Sequence, residues 1–166
     1  TSSPEAFELY LRAGSHTASP GPESYGLAIG LLRRAIEMDP DFALAHASLS
    51  TTFANSIQFG GHPELADSAY FHARRAIALD PYAAGSHTAL ALAQLKLGRR
   101  DDALVALHRS IELNPHNYVA QNLLGVLSAT RGDLVSALPA FLRAARIEPA
   151  RAHQALVNIG TILLSV

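Results

Sequence analysis

Apolar residues recur along this chain at helical spacing, in pairs of runs broken by short polar turns. Leu90, Ala93, Leu95 and Leu97 form one run, and Leu104, Leu107, Ile111 and Leu113 resume it after a break, which predicts two helices joined by a turn. Gly98 supplies a residue able to take positive φ after the first helix, and Asp101 or Asp102 is placed to cap the second. Pro115 lacks a donor and disfavours helical geometry in the residue before it, so the second helix is expected to stop near Leu113. The next unit uses the same signals, with Gly132 as stop, Asp133 as cap and Pro149 as end.

The pattern repeats. Arg75-Ala76-Ile77-Ala78-Leu79-Asp80-Pro81, Arg109-Ser110-Ile111-Glu112-Leu113-Asn114-Pro115 and Arg143-Ala144-Ala145-Arg146-Ile147-Glu148-Pro149 close successive units, and Arg34-Ala35-Ile36-Glu37-Met38-Asp39-Pro40 closes an earlier one. The four prolines stand 41, 34 and 34 residues apart. A fixed period of this length predicts a stacked helical array, in which each unit buries its apolar face against its neighbours. Arg34, Arg75, Arg109 and Arg143 share one place, read as the last turn of each second helix, where a cation meets the negative end of the dipole.

These residues resemble the tetratricopeptide repeat. Small and large residues stand at the packing places of that family: His87, Leu90, Ala91, Gln94, then Ala103, Leu107, Ser110; and Gln121, Leu124, Gly125, Ser128, then Ala137, Phe141, Ala144. The resemblance implies an all-α fold, a right-handed superhelical solenoid of antiparallel helix pairs. It divides a single domain, residues 1–166, into repeats at about 4–40, 41–81, 82–115 and 116–149, with an extra helix at 151–165. The repeat from 41 to 81 has His46, Leu49, Ser50 and Phe53, then Ala69, Ala73 and Ala76, at those places, and holds seven extra residues around Ile57 to Pro63. They read as an enlarged turn, or as a longer first helix with a Gly60-Gly61 stop. The first repeat is irregular: a helix over about Pro4 to Gly14 is expected, then a loop around Ser19-Pro20-Gly21-Pro22. Pro139 falls inside a second helix, which predicts a late start or a slight bend there.

The resemblance implies an interaction scaffold whose first helices line a concave groove for a peptide or helix of a partner protein. Its groove places are held by Ala47, Thr51 and Asn55, by Thr88, Leu92 and Lys96, and by Asn122, Val126 and Thr130. Lys96 and Asn122 alone are too few for the family's carboxylate-gripping groove, so neutral or apolar contacts are expected. The run from Ala6 to Gly14, with the segment around Arg34 to Ala45, also resembles the repeat tails of bacterial multidomain signalling and transcription-regulatory proteins. Together with the absence of an initiating Met, that suggests a fragment of a longer protein. The last helix presents Leu156, Ile159, Ile162 and Leu163 on more than one side, which suggests either a continuing chain or a homodimer through this end. Self-association, a spacer role and small-ligand sensing are therefore alternatives to the groove.

Composition narrows the functions. In 166 residues, thirteen basic and fourteen acidic side chains leave a net charge of −1, which gives no field for nucleic acid or anionic membranes. The chain has no cysteine, which excludes disulfides and thiolate chemistry and suits a reducing, cytoplasmic compartment. None of the eight histidines is spaced i,i+4 with another, so no metal is expected, and no nucleophile elbow or phosphate loop asks for a cofactor. His46 and His87 share a packing place and read as core rings. The chain is not expected to be an enzyme.

Overall fold

The structure, a computed structural model, describes residues 1, 3–18 and 21–163. Its helices are α1 (Pro4–Thr17), α2 (Pro22–Met38), α3 (Ala43–Ser56), α4 (Leu65–Leu79), α5 (Ala84–Lys96), α6 (Arg100–Leu113), α7 (Tyr118–Thr130), α8 (Leu134–Ile147) and α9 (Ala152–Leu163). Single turns of 3₁₀ helix cover Ile57–Phe59 and Pro149–Arg151. Helices α1 to α8 pair as four hairpins, each stacked on the next, and α9 packs on α8. The result is an all-α right-handed superhelical solenoid.

The segments that join successive hairpins share one geometry. Asp39, Asp80 and Asn114, each before a proline, take nearly identical extended geometry, with φ of −140°, −142° and −144°. Their carboxylate or amide oxygens then accept from the amides of Asp41, Tyr82 and His116 at 3.0–3.1 Å, an Asx turn carried from repeat to repeat. Gly98 and Gly132 stop their helices at φ 74° and 78°. Asp133 caps α8 by accepting from the Ser136 amide at 3.1 Å, and that serine's hydrogen bonds hold its carboxyl below the usual range.

Four local expectations are corrected. Asp101 and Asp102 are not caps: α6 begins at Arg100, so both lie in its first turn, where they still oppose the positive end of the dipole. Asp101 instead pairs with Arg131 at 2.7 Å. The four repeated arginines, Arg34, Arg75, Arg109 and Arg143, lie just short of the last turns, because each helix runs four residues past them. Arg75 reaches Asp41 at 2.6 Å, Arg109 reaches Glu112 at 3.1 Å, and Arg143 donates to the Pro139 carbonyl at 3.3 Å. Helix α1 runs to Thr17 rather than Gly14, because Ser15 and Thr17 donate to the carbonyls of Arg12 and Gly14 and stay on the helix. Helix α8 does not start late; it begins at Leu134 and carries Pro139 within it. The missing amide would have faced the carbonyl of Val135, a residue exposed to solvent.

The seven extra residues combine both readings of them. Helix α3 ends at Ser56, a 3₁₀ turn follows, and Gly60 at φ 87° lets the Gly61 amide donate back to the Ser56 carbonyl at 3.0 Å. Phe59 from this insertion meets the ring of Tyr25 on α2, with centroids 5.5 Å apart.

The buried small and large residues fall into three clusters along the solenoid. Leu32, Leu49, Phe53, Leu107 and Phe141 are fully buried among alanines. Gly125 lies so close to Phe141 that an added Cβ would sit 2.7 Å from the ring, so the absence of a side chain here is a packing requirement.

Candidate functional site

The first helices of the hairpins carry the nine groove candidates, and they do not stand evenly. Helix α3 packs directly on α5, whereas α1 stands back from α3. The space between α1 and α3 is a half-open cavity of about 500 Å³. Ala47, Thr51 and Asn55, all predicted, line it from α3 together with Leu44 and Ser48. Tyr10, Leu11 and Gly14 line it from α1, with Tyr25 and Leu32 of α2 among its other lining residues.

Farther along, Leu92 is half-buried, packed against the core of the first two hairpins, and Val126 is 39% exposed. Lys96, the last residue of α5, stands at the repeat place of Asn55 and Thr130; burial lowers the pKa of its ammonium, and no ion pair is made to it among the described residues. Asn122 is half-buried, and its amide oxygen lacks a hydrogen-bond partner. Thr130 is exposed, its hydroxyl turned onto the Leu127 carbonyl.

Thr88 is not a groove residue. It is 6% exposed and belongs to a polar knot between two repeats. Ser110 and Thr88 both reach the Ala84 carbonyl, at 2.9 and 3.3 Å, and share a hydrogen bond of 2.8 Å that either hydroxyl can donate. The Asn117 amide donates to both hydroxyls, at 2.9 and 3.0 Å, while its oxygen caps α7 by accepting from the Ala120 amide. Repeat counting puts Thr88 at a surface place, but Ser110 and Asn117 offer partners that draw it inward.

The candidate self-association surface also changes. Ile159 is half-buried and packs against the cluster of Ala137 and Phe141 on α8. The side chains of Leu156, Ile162 and Leu163 lie outside the described residues.

Sequence spacing missed a histidine pair. His46 on α3 and His72 on α4 face each other with Nδ1 atoms 2.8 Å apart, and Nε2 of His46 meets the Pro40 carbonyl at 3.1 Å. The ring centroids are 5.1 Å apart, which is the N···N distance plus roughly one ring radius at each end. The two nitrogens therefore point straight at one another, the geometry of a hydrogen bond rather than of two ligands converging on a metal. Among the described residues no three histidine, cysteine or acidic side chains gather as a metal site, and no helix is long and apolar enough to cross a membrane.

A family model described as tetratricopeptide repeat matches residues 88–159. A thermophilic tetratricopeptide-repeat protein of Thermus thermophilus superposes on the whole solenoid with a TM-score of 0.81, at 19% identity over 97% of this chain and 82% of its own. The chain carries tetratricopeptide repeats. Other tetratricopeptide-like matches extend the comparison. PilF of Pseudomonas aeruginosa gives a TM-score of 0.74 at 20% identity, covering 97% of this chain and 68% of its own. The first tetratricopeptide domain of human RPAP3 gives 0.64 at 18% identity, covering 78% and 94%, and that domain of RPAP3 has also been solved with an HSP90 peptide, SRMEEVD. A search of curated proteins finds no match by sequence.

Proposed function

We propose that this tetratricopeptide domain is a non-catalytic interaction scaffold that holds a segment of a partner protein in the groove of its first helices. The observation that carries this reading is the cavity of about 500 Å³ on the α3 face, lined by three of the predicted groove residues, Ala47, Thr51 and Asn55. Leu92 and Val126 continue an apolar row from it across α5 and α7. A preformed concave surface suits a peptide or helix, since little ordering of the scaffold is required on binding. RPAP3's complex with an HSP90 peptide supports the use of this fold for peptide capture. Lys96 is the one charged residue among the nine groove candidates, which favours a neutral segment over an acidic one. A place in the cytoplasm, as part of a larger bacterial regulatory protein, fits the same reading.

The test is selection of a displayed random peptide library on the intact chain and on the Leu92→Asp, Val126→Asp double variant. The groove reading expects peptides that bind the first and not the second. Equal recovery from both, or no enrichment on either, would contradict it.

A further inference from the structure

The cavity between α1 and α3 has a chemistry of its own. Apart from its two tyrosines, no ionisable side chain lines it. Half of its six hydroxyls are already spent: Thr17, Thr51 and Thr52 donate to the carbonyls of Gly14, Ala47 and Ser48 within their own helices. Tyr25 is different. It is 5% exposed, its ring is held by Phe59 of the insertion, and its hydroxyl makes no hydrogen bond to another described residue. Burial raises its pKa, so the phenol stays protonated and available as a donor. The Asn55 amide on the facing helix is likewise without a described hydrogen bond.

A charge entering this space would lose its hydration and find no counter-charge, whereas an apolar group would gain by leaving water. The cavity lies within the size range of ligand sites, roughly 300–1,000 Å³. Two irregular features of the chain line it, the lengthened end of α1 at Thr17 and Tyr25 near the start of α2, and Phe59 from the insertion packs on that Tyr25 ring. None of these follows from the repeat pattern.

We propose that this cavity is the anchoring subsite of the groove, taking a large uncharged side chain of the partner, aromatic with a polar edge, against Leu32 and beneath Tyr25 and Asn55. The Tyr25 hydroxyl and the Asn55 amide hydrogen-bond the polar edge or the adjoining backbone. The inference rests on the groove reading, and its failure is distinguishable from that of the groove.

The experiment selects displayed random 12-residue peptides on the intact chain, then measures the affinity of the enriched peptide for variants. Enriched sequences are expected to carry Trp or Tyr in an uncharged stretch. Ala47→Phe, which fills the cavity, should weaken binding by at least about tenfold, and Thr51→Met gives a second, smaller filling should the first fail to fold. Tyr25→Phe should weaken it about three- to tenfold, the range of one lost hydrogen bond. Acidic or basic consensus sequences, or full affinity for the folded filled variants while Leu92→Asp abolishes binding, would overturn the subsite and leave the groove standing. Absence of any groove-dependent peptide would remove both. Binding of free indole in the cavity without peptide enrichment would make it a small-molecule site and sink the proposal.

Discussion

Nδ1 of His72 donates to Nδ1 of His46 across 2.8 Å, joining α4 to α3. The direction follows from proton bookkeeping. Nε2 of His46 faces a carbonyl, which can only accept, so that nitrogen carries the proton and Nδ1 of His46 is an acceptor. His72 must then supply the proton between the rings. His46 is 4% exposed, and burial lowers its pKa; His72 is held at about 4 by burial, by His46 and by Arg33.

This pair predicts acid sensitivity. An unfolded histidine titrates near 6.5, whereas His72 in the fold resists protonation until about pH 4. The unfolded chain therefore binds more protons between these values, so stability is complete above about pH 6.5 and falls as pH drops toward 4. Arg33 and Arg75 add to the repulsion of a new charge, and Asp41, already paired with Arg75, offsets it only partly. The expected loss is about 1–2 kcal/mol, after allowance for solvent screening at a ring that is only partly buried. Urea midpoints measured from pH 7.5 to 4 check this, and His72→Gln should flatten the slope. A slope unchanged in that variant would assign the acid sensitivity elsewhere.

The His46 place recurs in the other repeats, which makes its tolerance predictable. His87 Nε2 meets the Pro81 carbonyl at 3.0 Å, and the Gln121 amide donates to the Pro115 carbonyl at 3.3 Å. His46→Gln should therefore keep the bond to Pro40 and cost about 1 kcal/mol for the lost ring pair. His46→Ala leaves a hole and an unpaired carbonyl, and should cost about 2–4 kcal/mol. Denaturant unfolding of the two variants distinguishes these outcomes.

Gly125 and Phe141 form a size-matched pair. Gly125→Ala should destabilise by about 1–3 kcal/mol, because the new methyl meets the Phe141 ring at contact too short to keep. In the preceding repeat Ala91 and Leu107 occupy the same places within one cluster. Adding Phe141→Leu to Gly125→Ala should accordingly recover part of the loss, and a double-mutant cycle by thermal melting reads the coupling.

The polar knot of Thr88, Ser110 and Asn117 should be more sensitive than its size suggests. Ser110→Ala strips partners from the Ala84 carbonyl, Thr88 and Asn117 together, with an expected cost of about 1–3 kcal/mol. Thr88→Val should cost less, since Asn117 keeps Ser110. Chemical denaturation of both variants tests the order.

Much of the solenoid was legible because its signals are local. The Pro stops at Pro81 and Pro115, the positive-φ glycines at Gly98 and Gly132, and the Asp133 cap each act within a few residues. The features that escaped prediction join residues far apart in sequence. His46 and His72 are 26 positions apart on different helices, and Thr88 was drawn inward by Ser110, 22 positions away. No periodicity marks such pairs. The cavity escaped for a related reason: it arises where α1 stands back from α3, in the repeats whose lengths depart from 34. Asp101 and Asp102 show the limit of cap assignment, since a helix that begins a few residues early turns a cap into a first-turn residue.

The central claim is that partners bind across the first helices. Amide chemical-shift mapping of the intact chain with a library-selected peptide tests it most directly. The account predicts shifts concentrated at Ala47, Thr51, Asn55, Leu92 and Val126, with the outward Phe71, Val105 and Val135 of the second helices undisturbed. Shifts centred on the second helices, with the α3 and α5 positions unchanged, would contradict it.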